Sequence, residues 1–384
     1  MRVLVANAGS SSLKLALLDG RRTLASCTLA QPQAPVVDGC LRQRAAAAVA
    51  EMLTHQPSPE AVGHRIVHGG GRFSEALLID QSSRRKLEAL VELAPLHLRP
   101  ALAVVDALRE ALPSLPAVAC FDTAFHRTLP AAAATYALPE GWRKLYGVRR
   151  FGFHGLSHAW VARSVARELR RDGGPAARII SAHLGAGASL CAIARGRSLD
   201  TTMGFTPLEG LVMATRPGSV DPGAITWLAR KLQRTEGPRR ALETLEGALE
   251  HQSGLQALAG SAEMSTILER AAGGEERAQL ARDVYIHRLT GAIAQMAASL
   301  GGVDAIAFTG GVGENAPEIR ELALRPLAFI GAALDERANR APAAAAVREI
   351  GAPGAAVRIF VVRAREDLEI ARQVRALLGA GRHG

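Results

Sequence analysis

Short apolar runs joined by a polar, glycine-containing turn occur twice along this chain in the same arrangement. Residues 2–18 contain two such runs around a polar turn at residues 7–12. This pattern predicts two antiparallel strands joined by a turn. The plan returns in residues 178–194, around a glycine-containing turn at 185–187. The repeat predicts two halves of similar architecture.

Further apolar patterns place the chain in the α/β class. Apolar residues recur at three- and four-residue spacing, which predicts amphipathic helices, at 85–93, 101–111, 159–171, 277–299 and 365–378. Such helices following strands are typical of α/β domains. Two more apolar runs end in polar residues, since 117–121 leads into Asp122 and 305–309 leads into Gly310-Gly311. Ligands of α/β folds bind at the carboxyl ends of strands, so we expect chemistry at these two points.

Length and composition indicate a soluble globular protein. The chain has 384 residues, of which 48% are hydrophobic, and this favours two domains. No apolar stretch reaches the roughly 18 residues of a membrane span, so no membrane partner is expected. Four cysteines, none in a Cys-x-x-Cys pair, are expected to be reduced thiols in a cytoplasmic protein: Cys27, Cys40, Cys120 and Cys191.

The net charge of +10 raises the question of nucleic-acid binding. The arginines are scattered through alanine- and leucine-rich segments, and aromatic residues make up 4% of the chain. Proteins that bind single strands combine a basic groove with aromatic stacking platforms. The composition therefore predicts no nucleic-acid partner, and only an electrophoretic shift that survives moderate salt would revive that class of function.

Two glycine-containing segments have the composition of phosphate sites. Residues 7–14 form a turn rich in amide and hydroxyl donors, and Lys14 closes it. Such a turn can cradle phosphate oxygens, although an ordinary hairpin explains it equally well. Residues 309–315 lead from a strand through glycines into a helix, whose first N–H groups can bind an anion. Glycine turns before helices are common, so this second segment also needs support from other residues.

Histidines and arginines lie in three further glycine-containing segments, at residues 64–70, 153–158 and 215–218. Fixed Arg and His donors stabilise the negative charge of a transferring phosphoryl group. Any one of them is more often a packing histidine or a surface arginine. Asp122 and Glu366 are carboxylates of the kind that hold Mg²⁺, but Glu366 at a helix start is also an ordinary partner of the helix dipole.

Taken together, these segments resemble the acetate kinase family. Matching segments follow one another in family order at 7–14, 63–70, 94–97, 121–126, 152–155, 203–210 and 308–315. So many long motifs, spread from residue 3 to about 372, leave little room for coincidence. The resemblance implies an α/β fold of two ribonuclease H-like domains around a central cleft, as in acetate and sugar kinases, heat-shock ATPases and actin.

The resemblance also implies a domain division and an activity. Residues 1–127 plus 367–384 would form an N-terminal ribonuclease H-like domain with the C-terminal helix. Residues 128–366 would form the domain for nucleotide binding and dimerisation. The implied reaction is reversible transfer of the γ-phosphoryl group of ATP to acetate, giving acetyl phosphate and ADP by direct in-line transfer. Mg²⁺ would assist, with Mn²⁺ as an alternative ion, in a cytoplasmic homodimer.

Residue roles follow from the same resemblance. The catalytic residues would be Arg65, Asp122, His154 and Arg216, and Arg65 would also bind acetate. A small apolar pocket for the methyl group would consist of Val67, Leu96, Phe153 and Pro207. The metal-associated pair would be Asn7 and Glu366. The nucleotide-binding residues would be Ser10, Ser12, Lys14, His183, Leu184, Gly185, Ala186, Gly187, Glu263, Met264, Ser265, Gly311, Val312, Gly313, Glu314 and Asn315.

The chemistry of a carboxylate acceptor limits the role of Asp122. Acetate is already ionised at neutral pH, so no proton has to be removed from it. Asp122 is therefore expected to orient arginines or metal rather than to act as a strict base. Catalysis would come from positioning and electrostatic stabilisation of the reacting groups.

Three departures from the family pattern concern the nucleotide. Ala186 replaces the usual asparagine, Ala364-Arg365 replaces Thr-Asn, and Glu263-Met264-Ser265 stands where Asp-Met-Arg or Asp-Phe-Arg is usual. The last change removes an arginine expected beside adenosine, which predicts weak ATP binding and relaxed donor specificity, including use of GTP.

Two alternatives to an acetate kinase follow from the sequence. A propionate-preferring kinase is the nearer one, because one methylene is worth only about 1–3 kcal/mol of discrimination. A non-catalytic nucleotide-binding protein is disfavoured because Arg65, Asp122, His154, Arg216 and Glu366 are all retained.

Overall fold

The computed structural model describes residues 1–9, 12–30, 38–171, 177–342 and 345–380. The chain divides into two compact units. The first comprises Met1–Arg127, Phe153–Trp160 and Arg365–Gly384, and the second comprises Thr128–Gly152 and Val161–Ala364. Residues 153–160 and 365–366, which the sequence-based boundaries assign to the second domain, are grouped here with the first unit.

The first unit is built around a mixed sheet. Among its described residues, six strands form the sheet: β1 (Arg2–Ala8), β2 (Ser12–Asp19), β3 (Arg22–Ala30), β4 (Ala61–Ile66), β5 (Leu77–Leu78) and β6 (Ala117–Phe121). Their spatial order is β3-β2-β1-β4-β6-β5. The central strands β1, β4 and β6 run parallel, while β2, β3 and β5 are antiparallel to their neighbours. The carboxyl ends of the three parallel strands therefore meet at one edge.

The second unit repeats this topology. Within the described parts of the chain its six strands are β7 (Arg178–Leu184), β8 (Ala188–Ala194), β9 (Arg197–Thr201), β10 (Ala305–Thr309), β11 (Val347–Glu349) and β12 (Arg358–Val362). Their order, read from β9, is β9-β8-β7-β10-β12-β11. Each pairing has the same direction as its counterpart in the first sheet. The two halves of similar architecture predicted from the hairpins are confirmed.

Helices connect and cover the strands. The α-helices of the described chain are α1 (Asp38–Leu53), α2 (Gln81–Glu88), α3 (Pro95–Ala111), α4 (Ala131–Ala134), α5 (Glu140–Tyr146), α6 (Gly155–Arg171), α7 (Pro222–Glu236), α8 (Pro238–His251), α9 (Gly254–Ala259), α10 (Met264–Ala272), α11 (Glu276–Leu300), α12 (Gly310–Asn315), α13 (Pro317–Leu324), α14 (Glu336–Arg340) and α15 (Glu366–Ala380). Short 3₁₀ turns occupy Val91–Leu93, Ala124–Thr128 and Arg325–Ile330.

Side chains of the first sheet alternate between two buried faces, as a strand period of two requires. One face, including Leu4, Val62 and Phe121, packs with the apolar side chains of α1 and α3 in a single core. The other face packs against α15. A Cβ on Gly63 of β4 would lie 2.6 Å from the Ile370 side chain, so glycine lets α15 lie close on the sheet. This docking brings Glu366, the first residue of α15, to the sheet.

The helix predicted at 85–93 is wrong in its extent. The helix starts earlier, at Gln81, directly after the N-cap Asp80, whose carboxylate accepts from the N–H of Ser83, and it ends at Glu88. The 3₁₀ turn Val91–Leu93 follows as a separate element. Pro95 disfavours a helical conformation at the residue before it, and Ala94 accordingly has φ −158°. A helical period alone does not reveal these two local constraints.

Three other predicted boundaries differ. The helix predicted at 159–171 begins four residues earlier, at Gly155. The helix predicted at 101–111 begins six residues earlier, because Pro95 suits a first helical position. The glycine turn predicted after residue 309 is instead helical, since α12 begins at Gly310 itself. None of the helices in the described residues is long and apolar enough to cross a membrane.

Candidate active site

Four of the predicted site residues meet at the strand edge of the first unit. Asn7 lies near the end of β1, Arg65 near the end of β4, and Asp122 directly after β6. Glu366 begins α15, which packs on the same sheet. Because these strands are parallel, their carboxyl ends bring the side chains together, and Asp122 follows the strand end at which the sequence predicted chemistry.

The four side chains form a continuous hydrogen-bonded chain. The Nδ2 of Asn7 donates to Oε2 of Glu366 at 2.7 Å, and Nη1 of Arg65 donates to Oδ1 of Asn7 at 3.2 Å. The guanidinium of Arg65 then engages both carboxylate oxygens of Asp122, through Nε at 3.1 and 3.2 Å and through Nη2 at 2.5 Å. Such forked pairing fixes the plane of the guanidinium as well as its position.

Burial makes the loss of either partner of this ion pair costly, because the remaining charge would be left without a counter-ion. The side chains of Arg65 and Asp122 are 12% and 1% exposed. Burial raises the pKa of the Asp122 carboxyl, and Glu366 raises it further, while Arg65 and the backbone N–H of His154 oppose the rise. For Arg65, burial lowers the pKa, but the charges of Asp122 and Glu366 outweigh it and the net direction is upward. Arg65 therefore stays charged, with Asp122 as its counter-ion.

His154 is held beside Asp122 in an unusual backbone conformation. Its φ is +55°, in the left-handed region that non-glycine residues rarely adopt, and its N–H donates to the Asp122 carboxylate. The next residue, Gly155, donates its N–H to the carbonyl of Asp122 at 2.9 Å. Strained conformations of this kind persist where surrounding contacts impose them, and they are frequent at functional sites.

The four residues of the predicted apolar pocket differ in their burial and in the unit to which they belong. Val67 and Phe153 are buried in the first unit, and the ring of Phe153 packs edge-on against His68 at 5.3 Å. Leu96 is half exposed at the first turn of α3. Pro207 is buried in the second unit. Val67, Leu96 and Phe153 belong to the first unit.

Lys14 and Ser12 lie at the hairpin that opens the first sheet. Lys14 is directly opposite Asn7 in the β1–β2 pair, so the two side chains share one face of the sheet, and Lys14 is exposed. Ser12 starts β2, and its carbonyl accepts from the N–H of Gly9 at 2.8 Å. Ser10, also predicted to bind nucleotide, lies outside the described residues.

In the second unit two glycine-rich segments lie side by side. His183 and Leu184 end β7, and the turn 185–187 closes through a hydrogen bond between Gly185 and Gly187 at 3.0 Å. Strand β10 runs parallel to β7 and leads directly into α12. A Cβ on Gly310, which has φ +80°, would lie 2.7 Å from the carbonyl oxygen of Leu184. Glycine is therefore required for the two segments to approach.

Exposure along these segments matches a binding surface. Gly311 and Ala186 are exposed, and Gly185, Gly187 and Val312 are partly exposed. A Cβ on Gly185 would lie 4.0 Å from the backbone nitrogen of Gly311, so the two backbones are neighbours. Adjacent backbone N–H groups of this kind make concavities that bind anions.

Two side chains of the α12 segment hold its shape. The Glu314 carboxylate accepts from the N–H groups of Gly310 at 3.1 Å and Ala364 at 2.9 Å. The Nδ2 of Asn315 donates to the carbonyl of Gly311 at 2.9 Å. Glu314 thus joins residues 310–314 to the end of β12, where the family pattern is altered at Ala364.

Residues 263–265 lie at the start of α10. Glu263 is the N-cap residue, Met264 is buried in the core and Ser265 is exposed. Only the backbone of Met264 can therefore face a ligand, whereas a side chain at position 265 reaches solvent. Arg365, the other altered position, pairs with Asp367 at 2.8 Å and with the hydroxyl of Thr23 at 3.0 Å.

Sequence reasoning missed two charged residues of the second unit, of which Arg320 is buried and Glu250 is partly buried. Arg320 is 1% exposed and donates to the carbonyls of Gly313 at 2.8 Å and Glu314 at 3.0 Å, and its Nε to Oδ1 of Asn339 at 2.7 Å. Glu250 pairs with Arg216 at 3.1 Å. Neither lies in a glycine-rich segment, and an isolated charge on an amphipathic helix ordinarily faces solvent, so no sequence signal marked them.

Several of these residues have the donor set that a magnesium ion uses. Mg²⁺ is usually held by one or two carboxylates together with substrate phosphates and water. Glu366 supplies a carboxylate, Asn7 is bound to it, and Asp122 is close enough for Glu366 to raise its pKa. Within the described residues no group of three or more His, Cys, Asp or Glu side chains forms a metal cluster. Glu366 and Asn7 therefore fit an ion that is also held by substrate phosphates.

Comparisons with known proteins agree with this geometry. The sequence profile of the Acetokinase family matches residues 31–372. Acetate kinase of Deinococcus radiodurans is 43% identical over 400 residues, covering 99% of this chain and 98% of that protein. The crystal structure of Porphyromonas gingivalis acetate kinase has a TM-score of 0.83 at 34% identity, covering 98% of this chain and 99% of the other.

A second solved structure has a different acceptor in its name. The propionate kinase of Francisella tularensis has a TM-score of 0.84 at 32% identity, covering 97% of this chain and 98% of that one. The two crystal structures are thus almost equally similar to this chain.

Proposed function

The chain belongs to the acetate kinase family, and we propose that it transfers the γ-phosphoryl group of ATP to acetate, reversibly, giving acetyl phosphate and ADP. The observation that carries this proposal is the forked Arg65–Asp122 pair, linked through Asn7 to Glu366 at one strand edge. It supplies a fixed cation for oxyanions beside carboxylates suited to a magnesium ion.

The reaction needs no base. An oxygen of the acetate carboxylate attacks the γ-phosphorus and forms a new P–O bond, while the bond from that phosphorus to the bridging oxygen of ADP breaks. The electron pair of the broken bond stays on ADP. Asp122 already accepts hydrogen bonds from Arg65 on both oxygens, so its role is to hold the guanidinium. Arg65 in turn stabilises charge on the reacting oxygens.

His154 and Arg216 complete the set of proposed donors. The backbone of His154 is tied to Asp122, so its imidazole position is coupled to the position of Arg65. Arg216 belongs to the second unit and lies on a loop bonded to the turn 185–187. A transferring phosphoryl group spreads its charge over three oxygens, and several fixed donors stabilise that state better than one.

Asn7 and Glu366 are proposed to hold the Mg²⁺ ion that accompanies the nucleotide, with Mn²⁺ as an alternative. When bound, such an ion neutralises charge on the phosphate oxygens. The chain's own contribution is orientation: the 2.7 Å bond from Asn7 fixes the Glu366 carboxylate, and α15 fixes its backbone.

The second unit is proposed to bind the nucleotide phosphates. The neighbouring segments 183–187 and 311–315 present glycine backbone at the surface, and Arg320 and Glu314 hold one of them rigid. The adenosine side would involve residues 263–265, where Ser265 is exposed and Met264 is not.

A propionate-preferring kinase is the second candidate, favoured by the similarity to the Francisella tularensis propionate kinase. Val67 and Phe153 are buried while Leu96 is half exposed, so the proposed pocket does not bar one additional methylene.

A hydroxamate assay tests the function directly. Acetate, propionate and butyrate are each supplied with ATP and Mg²⁺, and acyl phosphate is trapped with hydroxylamine. The proposal predicts the highest kcat/KM with acetate. A higher value with propionate would favour the second candidate, and no acyl phosphate from any of the three acids would contradict both.

Donor selectivity provides a separate test. Ser265→Arg should lower the KM for ATP by about tenfold, because a charged hydrogen bond or stacking contact is worth on the order of 1.5–3 kcal/mol. The KM for acetate should stay nearly unchanged, and the wild-type protein should use GTP well. Initial rates with ATP and GTP measure both effects.

Glu269→Arg is the matched control, since it adds positive charge to the same helix at an exposed position one turn further on. If both variants tighten ATP equally, general charge is the cause. Strict ATP selectivity of the wild-type protein would show that another residue has replaced the missing arginine.

A homodimer and a cytoplasmic location are part of the proposal. On α5, Trp142, Leu145 and Tyr146 are 58%, 73% and 67% exposed, and neither α5 nor α7 has a buried residue. Large exposed apolar side chains grouped on one unit support an interface with a second copy. Sedimentation equilibrium at micromolar concentration would measure it, and a purely monomeric mass would contradict it.

A further inference from the structure

The loop that carries Arg216 is fixed within the second unit. It closes on itself through a hydrogen bond from the N–H of Met213 to the carbonyl of Arg216 at 3.0 Å. The N–H of Ala214 donates to the carbonyl of Ala186, also at 3.0 Å. The second bond joins the loop to the turn proposed to bind phosphates. The backbone of Arg216 therefore has a defined position relative to that turn.

Residues 250–256 form further hydrogen bonds with the loop that carries Arg216. Three of their N–H groups donate to loop carbonyls at 2.9 Å: Ser253 to Thr215, Leu255 to Met213 and Gln256 to Ala214. Gly254 has φ +63°, and a Cβ there would lie 2.2 Å from the carbonyl oxygen of Met213. Only glycine lets the two segments pair this closely.

Glu250 adds a side-chain contact to these backbone hydrogen bonds. It lies in the last turn of α8, and its carbonyl accepts from the hydroxyl of Thr215 at 2.8 Å. Its carboxylate oxygen Oε2 lies 3.1 Å from Nε of Arg216, and the two side chains are only 19% and 13% exposed. A charge-assisted bond sheltered from water in this way is stronger than an exposed surface pair.

The atom that Glu250 contacts matters for the orientation of Arg216. Arginine has four side-chain torsions, and a fixed backbone alone does not fix its guanidinium. A bond at Nε sets the rotation of the guanidinium plane. The Nη1 atom of the same guanidinium lies 4.0 Å from Sδ of Met213 in the loop. These two contacts fix the plane in which arginine can fork the oxygens of a phosphoryl group.

We propose that Glu250 is a positioning residue that fixes the Arg216 guanidinium for phosphoryl transfer. The inference rests on the role proposed above for Arg216. It assigns to Glu250 no contact with substrate, and it predicts an effect on turnover that passes entirely through Arg216.

Glu250→Ala tests the proposal, because it removes the carboxylate but keeps the backbone carbonyl that Thr215 contacts. We expect kcat to fall about 10- to 100-fold, since a misplacement of about 1 Å can cost 10²-fold. The KM values for acetate and ATP should change less than about threefold. Glu250→Gln keeps an acceptor oxygen at the same reach and should recover most of kcat. Equal losses in the Ala and Gln variants would overturn positioning through this hydrogen bond.

A double-variant cycle separates failure of the inference from failure of the proposed function. If Arg216→Ala alone leaves kcat unchanged, the proposed role of Arg216 is wrong. If Arg216→Ala lowers kcat, then adding Glu250→Ala should lower it no further. Independent, multiplicative losses, or wild-type kcat in Glu250→Ala, would overturn the inference while leaving Arg216 in its role.

Glu349→Ala is the matched control in the same unit. Glu349 pairs with Arg358 through two bonds, at 2.6 and 2.7 Å, and neither residue belongs to the proposed site. Removal of the Glu349 carboxylate should leave kcat unchanged. Thermal unfolding of all variants is measured in parallel, and a kcat loss in Glu349→Ala as large as that in Glu250→Ala would overturn the proposal.

Discussion

Arg65→Ala is expected to lower kcat by roughly 10²–10³-fold, the effect of removing one preorganised donor from a developing charge. The guanidinium is positioned by bonds to Asp122 and Asn7, and the alanine variant lacks both the charge and these bonds. Arg65→Lys should recover little, because lysine keeps the charge but cannot fork two oxygens. Hydroxamate kinetics at saturating acetate and ATP measure the loss.

Arg65→Ala should also lower the stability of the fold. A control variant is therefore needed to separate lost stability from lost turnover. Removing Arg65 leaves the Asp122 carboxylate buried without its counter-ion, which costs about 3–5 kcal/mol in comparable pairs. Arg84→Ala removes another forked Arg–Asp pair of the same unit, with both bonds to Asp106 at 2.8 Å. It should lower stability modestly and leave kcat per folded molecule intact. Near-wild-type kcat in Arg65→Ala would remove Arg65 from the catalytic set.

The strands and the polar strand end at Asp122 could be predicted from the sequence because both depend on short-range pattern. The apolar runs 117–121 and 305–309 form β6 and β10 with the predicted bounds. The repeated hairpins predicted two halves of similar architecture, and the two sheets share one topology. Once strands are parallel, their polar ends must meet. The convergence of Arg65 and Asp122 followed from that rule together with the family resemblance.

The remaining features depend on contacts that no local pattern contains. The bond between Glu250 and Arg216 joins residues 34 positions apart, with α7 and most of α8 between them in the sequence. The buried Arg320 donates hydrogen bonds to backbone carbonyls and to an amide oxygen. In the sequence alone, it cannot be distinguished from an arginine on the solvent-facing side of a helix. The conformation of α12 depends on the close approach of Gly310 to Leu184, which the sequence of either strand alone does not indicate.

Gly155 links the fold of the first unit to the candidate site more directly than any other glycine in it. Its N–H donates to the carbonyl of Asp122 at 2.9 Å, and it begins α6 directly after His154. A Cβ at this position would lie 2.0 Å from that carbonyl oxygen and 2.8 Å from Cβ of Phe125. Backbone cannot give way as a flexible side chain can, so the helix start and His154 would have to move away from Asp122.

Gly155→Ala should therefore destabilise the protein by about 3 kcal/mol, at the upper end of overpacking costs, and lower the unfolding midpoint by roughly 4 °C. It should also lower kcat by about 10²-fold, because the displaced His154 no longer lies beside the Arg65–Asp122 pair. Circular dichroism melts and hydroxamate kinetics measure the two effects.

Gly39→Ala is the control, since Gly39 lies in α1 of the same unit and a Cβ there meets nothing within 4 Å. Its melting temperature should stay the same or rise, because alanine is favoured over glycine in a helix. A Gly155→Ala protein that melts like Gly39→Ala would mean that α6 can shift at little cost. If it also kept full turnover, the position of His154 relative to Asp122 would not matter to the reaction, and His154 would leave the catalytic set.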